Sequence, residues 1–136
     1  MTKNFYSNNG LVSFQTLREK MRNFSIKDVQ PLINNIVSDK AKIHMSYPFG
    51  DLIGPAEYFN SVYKPLLKSL PDLERREMIC VSGTTEKKQF WVGTMGNYMG
   101  TFLTPFLEIP PTGHLVHMRF HEFFCLEGDK IIEVQA

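Results

Sequence analysis

The order in which two hydrophobic periodicities occur constrains this chain more than any other feature. Spacings of three and four govern the first half. They place Phe14, Leu17 and Met21 on one helical face starting at Ser13. A second helix follows, with Asp28 as N-cap, Pro31 in its first turn and Val29, Leu32, Ile33 and Ile36 as its buried stripe, stopping near Asp39. Gly54-Pro55 opens a third helix, whose wide apolar face runs from Tyr58 and Phe59 through Tyr63 to Leu70. One alternating strand, Ala41 to Phe49, lies between the second and third helices and is broken at Pro48-Phe49-Gly50-Asp51. From Arg76 onward the period is two. Strands are predicted over 76–82, 89–102, 114–126 and 130–136, joined by turns and by the loop Ile109-Pro110-Pro111-Thr112-Gly113. Helices first and consecutive strands afterwards predict an α+β domain, with a mostly antiparallel sheet and three helices on one face. A strongly bent sheet wrapped around a helix encloses a cavity suited to a small molecule. Gly93, Gly96 and Gly100 in one strand predict a bend or a close approach.

The chain has 136 residues, enough for one core, and the domain is expected over 13–136 with 1–12 as a flexible lead carrying the turn signal Asn8-Asn9-Gly10. The formal net charge is +1 and the basic residues are scattered, which argues against nucleic acid as the partner. No apolar run reaches the roughly 18 residues of a membrane span. The N-terminal stretch lacks the pattern of a signal peptide. Cys80 and Cys125 form no metal or redox motif and lie in apolar runs, so they are expected to be buried free thiols, which suits a reducing cytoplasm. No glycine-rich phosphate loop and no nucleophile motif occur, and no cofactor is expected.

The strand 114–126 carries the most chemical information. One face presents Val116, Met118, Phe120, Glu122, Phe124 and Leu126, apolar except for one carboxylate. If that face lines the cavity, desolvation pushes Glu122 towards the range of a general acid–base. The alternative is a structural ion pair with Arg75, Arg76 or Arg119. The other face carries His117, Arg119 and His121, a polar stripe that is exposed or faces a second subunit, with ligand contact as the alternative. Four residues of strand span roughly 13 Å, so His117 and His121 cannot share a zinc ion with bonds of about 2 Å, and no metal is expected. Glu122 is thus the candidate catalytic group. Tyr47, Trp91, Tyr98, Met118 and Phe120 are the candidate ligand-binding residues. Tyr47 would frame the mouth, and Trp91 and Tyr98 have opposite parity, so an unbulged strand turns only one of them inward.

Several stretches give the order a familial look. Pro65-Leu66-Leu67 with Leu70-Pro71-Asp72-Leu73-Glu74-Arg75-Arg76 is one, and Gly96-Asn97-Tyr98-Met99-Gly100-Thr101-Phe102 followed by Ile109-Pro110-Pro111-Thr112-Gly113 is another. Arg119-Phe120-His121-Glu122-Phe123 and Ile131-Ile132-Glu133 complete them. Over residues 14–136 the chain resembles the SnoaL-like polyketide cyclases of the nuclear transport factor 2-like superfamily. That resemblance implies a cone fold, homodimers, and ring closure by intramolecular aldol chemistry on a ketone or ester without metal or organic cofactor. It also implies an acidic residue shortly after a Glu-x-Trp-like motif in the last strand. Here that stretch reads Glu133-Val134-Gln135-Ala136, which puts Ala136 where the acid is expected. Relatives continue through more strand, so a C-terminally truncated domain or part of a longer protein is expected. A non-catalytic ligand-binding or dimerisation domain is the competing reading.

Overall fold

A computed structural model describes residues 8–136. Helix α1 spans Asn8–Lys20 and runs into a single 3-10 turn, Met21–Asn23. It starts ahead of the Ser13 at which the periodicity becomes visible, so 8–12 are helical; residues 1–7 of the expected flexible lead lie outside the described residues. Phe14, Leu17 and Met21 are buried as their spacing predicts, each adding roughly 1.5–3 kcal/mol of apolar burial. Phe14 meets Phe124 edge to face, with centroids 4.9 Å apart.

Helix α2 spans Ile26–Ile36. Its N-cap is Ser25 rather than Asp28: Ser25 has extended backbone, and its carbonyl accepts the Asp28 and Val29 amides at 3.1 and 2.8 Å. Asp28 therefore sits in the first turn, where its charge complements the helix dipole, and Pro31 lies a turn further in than expected. The helix stops at Ile36, and strand β1 starts at once as Val37–Met45. Strand β2, Gly50–Ile53, pairs antiparallel with β1. The sequence reading missed it, because Pro48 and Gly50 read as a break and four residues are too few to show a period.

Helix α3 covers 54–69 and is not uniform. It is α-helical over Gly54–Tyr58 and Lys64–Ser69, with a π-helical turn at Phe59–Tyr63 between. Pro65 has no amide to donate and would crowd the carbonyl four residues back in an α-helix; the wider turn before it relieves that conflict. Gly54 has φ +81° and a built Cβ would lie 2.8 Å from the Asp39 carbonyl oxygen, so only glycine fits this entry.

Strands β3 (Glu74–Thr84), β4 (Phe90–Thr101), β5 (Leu115–Glu127) and β6 (Lys130–Gln135) complete a curved, unclosed sheet in the order β2-β1-β6-β5-β4-β3. The β1–β6 pair is parallel and the others antiparallel. The helices cover the concave face, where the even-numbered residues of β4 and β5 point: Val92, Tyr98, Phe120 and Phe124 are buried there. β3 is an edge strand that runs past the helices. Beyond Arg75 it is largely exposed, and Cys80, expected to be buried, is exposed for that reason; Cys125 is buried, and both thiols are free. Among the described residues no helix is long and apolar enough to cross a membrane.

Candidate functional site

The concave face encloses a cavity of about 270 Å³ between α3, the sheet and the loop after β4. Its walls are mainly apolar, from Met45, Phe49, Val62, Leu66, Phe106 and Phe120. Four of its polar groups, Tyr58, Tyr63, Tyr98 and Glu122, meet at one place, and Ser46, Arg119 and His121 also line it.

Two local features build this cluster. The first is the π-helical turn. On a regular α-helix, residues five apart point about 140° away from each other. The wider turn brings Tyr58 and Tyr63 to one side, with their hydroxyls 2.8 Å apart and rings packed edge to face at 5.1 Å. The second is strand register. Arg75 on β3 lies opposite Tyr98 on β4, and Thr94 on β4 lies opposite Glu122 on β5. Between them Gly96 has no side chain. A Cβ there would lie 2.9 Å from the Phe120 ring, so the missing methyl leaves room for that ring, over which the Arg75 guanidinium stacks at 4.2 Å. Arg75 thereby reaches across β4 to β5.

Glu122 is 3% exposed. Its Oε1 accepts the Tyr98 hydroxyl at 2.5 Å, and its Oε2 lies 3.4 Å from Arg75. The 2.5 Å bond is in the range of a hydroxyl donating to an ionised carboxylate. A phenol has one proton, and the bond to Glu122 takes it. The Tyr63 hydroxyl, 3.3 Å from that of Tyr98, is then the donor of their contact. Arg75 donates further to Thr94 Oγ1 and to Glu77, both at 2.9 Å, and Arg18 of α1 grips Glu77 from the other side. A line of polar groups thus runs from the cavity wall to α1. The Arg75 Nε has no hydrogen-bond partner and lies among buried atoms above the Phe120 ring.

The electrostatics follow from burial. Desolvation pushes the Tyr58, Tyr63 and Tyr98 hydroxyls well above the ordinary phenol value, and the negative charge of Glu122 adds to this in each case. All three are therefore protonated hydrogen-bond donors. Desolvation works against the charge on Arg75, but the Glu122 charge and the hydrogen bond to Glu77 outweigh it, so the guanidinium is held protonated. Glu122 keeps acceptor positions that Tyr98 and Arg75 do not fill, since an ionised carboxylate offers about four.

Of the residues singled out from sequence, Tyr98, Met118, Phe120 and Glu122 line the cavity. Tyr47 does not: it is 96% exposed on the turn after β1, directed away from the cavity that its neighbour Phe49 lines. Trp91 does not either. β4 is unbulged against β5 between Trp91 and Tyr98, so the opposite parity puts Trp91 on the convex face. The proposed alternative partner of Glu122 is present: Arg75 pairs with it, whereas Arg76 pairs with Glu74. His117, Arg119 and His121 are exposed, and the last two also border the cavity. Ala136 lines the cavity with a methyl group. Sequence reasoning missed Tyr58 and Tyr63 as polar groups of the site, and named Arg75 only as one of three possible partners of Glu122. Two tyrosines on an otherwise apolar helix face were the available signal, because a buried hydroxyl needs a partner. Among the described residues no three His, Cys, Asp or Glu side chains converge on a metal position.

No protein-family model matches the chain, and no curated protein matches it. Solved structures do. IdmH of Streptomyces antibioticus, a candidate polyketide cyclase, superposes with a TM-score of 0.71 at 16% identity, covering 93% of this chain and 88% of that one. A candidate SnoaL-like polyketide cyclase from Jannaschia sp. CCS1 gives 0.70 at 18% identity, with 99% and 88% covered. A nuclear transport factor 2-like protein of unknown function from Burkholderia pseudomallei gives 0.66 at 10% identity, with 95% and 89% covered. Likenesses at this identity establish architecture: the chain has the α+β cone fold of nuclear transport factor 2-like proteins, built as in the SnoaL-like polyketide cyclases.

Proposed function

We propose that the chain binds a small, apolar, ring-containing or ring-forming ketone or ester in this cavity and acts on it by acid–base chemistry without a cofactor. The observation that carries the reading is a single buried carboxylate, Glu122, set in an apolar cavity and held by the Tyr98 hydroxyl at 2.5 Å. Apolar walls with a few convergent polar groups are what a small-molecule site requires. Glu122 has acceptor capacity left to take a proton from a carbon next to a carbonyl. The three phenol protons are already donated, Tyr98's to Glu122, Tyr63's to Tyr98 and Tyr58's to Tyr63, so Tyr58 or Tyr63 must turn its proton from its neighbour to donate to the oxygen on which charge then develops. The cyclase-type neighbours share this cone, which supports the class of chemistry.

Two observations favour the second reading, a binding domain without turnover. Arg75 pairs with Glu122, and Ala136 contributes only a methyl where the cyclases are expected to carry an acid. Pairing of two copies fits either reading. Ile79, Val81 and Phe123 form an exposed apolar patch on the convex face, in which Phe123 and Val81 close over Gly93.

The test is a thermal-shift panel of cyclic ketones, lactones and aryl ketones on the natural protein and on Glu122→Gln. Ligand at 100 times its dissociation constant adds about 2.7 kcal/mol of stability. The expected result is a hit whose melting shift shrinks in Glu122→Gln, followed by exchange of the ligand's α-hydrogens in deuterated water. A hit without exchange leaves the binding domain. A panel with no hit sinks both readings of the cavity.

A further inference from the structure

Phe106 is a wall shared by two spaces. On one side it lines the cavity, with its ring 6.3 Å from that of Phe49. On the other it lines a depression of about 660 Å³ outside α3, bounded by Ile26, Lys64, Leu67, Lys68, Pro105 and Leu107. The turn that carries Phe106 is tightly built. Phe106 and Ile109 exchange both backbone hydrogen bonds, at 3.1 and 2.9 Å, and the two residues between them, Leu107 and Glu108, have φ of 50° and 67°. Left-handed backbone at two successive non-glycine residues is costly, and it aims Leu107 outward over the depression.

The chemistry of this depression is one-sided. Ile26 and Leu107 are 48% and 40% exposed there. Lys64 and Lys68 stand one turn apart on α3 and are exposed; among the described residues neither makes an ion pair, and no acidic side chain lines the space. Like charges at this spacing repel, and a single anion between them would remove the repulsion. The space is concave and of the size that holds one small molecule. We propose that it is a second binding site, for an amphipathic carboxylate of the fatty-acid type. The head group sits between Lys64 and Lys68, and the chain lies over Leu67 and Leu107 against the outer face of Phe106. Lysine supplies a point charge rather than the planar fork that favours bidentate recognition, so the site selects charge and an apolar tail more than head-group shape.

The test uses the full chain, calorimetric titration with decanoate and with decanol, and amide chemical shifts recorded alongside. Decanoate is expected to bind at least about tenfold tighter than decanol at low salt, with the preference falling as salt screens the head group. The largest shifts are expected at residues 64–68 and 105–107. Lys64→Gln/Lys68→Gln should abolish the preference without changing the melting temperature, and Glu122→Gln should leave decanoate affinity unchanged. Equal affinity for acid and alcohol overturns the proposal, as does a preference that survives the double substitution. Shifts confined to Tyr98 and Glu122, with affinity lost in Glu122→Gln, also overturn it and place the ligand in the cavity instead. A lost second site leaves the cavity panel untouched, so the two readings fail separately.

Discussion

Removing one oxygen atom tests the centre of the site. Tyr98→Phe keeps the ring that packs on Phe120 at 5.0 Å and on Tyr63 at 6.4 Å, and deletes only the hydroxyl donated to Glu122 at 2.5 Å. The remaining partner of that carboxylate is Arg75 at 3.4 Å, too long to replace a short bond. A hydrogen bond to a charged group is worth roughly 1.5–3 kcal/mol. Unfolding entropy of about 2.1 cal/mol/K per residue over 136 residues converts a loss of about 2 kcal/mol into a melting point about 7 °C lower. Calorimetry of Tyr98→Phe, Glu122→Gln and the double variant closes a mutant cycle, and contacting partners of this kind should couple by roughly 1–3 kcal/mol. Additive effects, or a melting temperature within a degree of the natural protein for Tyr98→Phe, would refute the bond and with it the account of how Glu122 is held.

Two further predictions concern the frame around this pair. Desolvation works against the charge on Glu77, but the bonds from Arg18 and Arg75 outweigh it, so its folded-state pKa is lowered. A lowered folded value means that the unfolded chain binds more protons as pH falls. The stabilisation is therefore complete above the ordinary carboxylate value of about 4.3 and is lost below it. Glu77→Gln should narrow its melting-temperature gap to the natural protein between about pH 5 and pH 3; parallel curves would show that Glu77 is not paired in solution. Gly96→Ala puts a Cβ 2.0 Å from the Arg76 carbonyl oxygen and 2.9 Å from the Phe120 ring. Neither can yield without moving the sheet or the ring beneath Arg75, so a loss of about 3 kcal/mol, or about 10 °C by the same conversion, is expected in a thermal melt. A melting point within 2 °C would mean that the β3–β4 register is wrong.

The fold was legible because its two periods occupy different parts of the chain. Helical spacing in Phe14, Leu17 and Met21, and alternation in Phe120 to Leu126, each name an inner face that the structure buries; the same strand face is half-buried at Val116 and exposed at Met118. The same alternation found Glu122, because a carboxylate among Met118, Phe120 and Phe124 stands out on a strand face. Tyr47 and Trp91 were misplaced for a related reason. Parity says that Trp91 and Tyr98 oppose each other but not which of them turns inward, and a residue at a strand end follows its turn rather than the strand. The rest of the site lies beyond any local pattern. Arg75 is one of three arginines that sequence offers as a partner for Glu122, and it is the one turned inward because it faces Tyr98 across β3 and β4 and stacks on the Phe120 ring, for which Gly96 leaves room. Tyr58 and Tyr63 are separated by five residues, a spacing that means nothing on an α-helix and places hydroxyls side by side on a π-helical turn. The clue was Pro65, which strains the helix just before it. A proline inside an amphipathic helix is thus a reason to test i, i+5 pairs for shared chemistry, and here it is the proline that gathers the donors around the carboxylate.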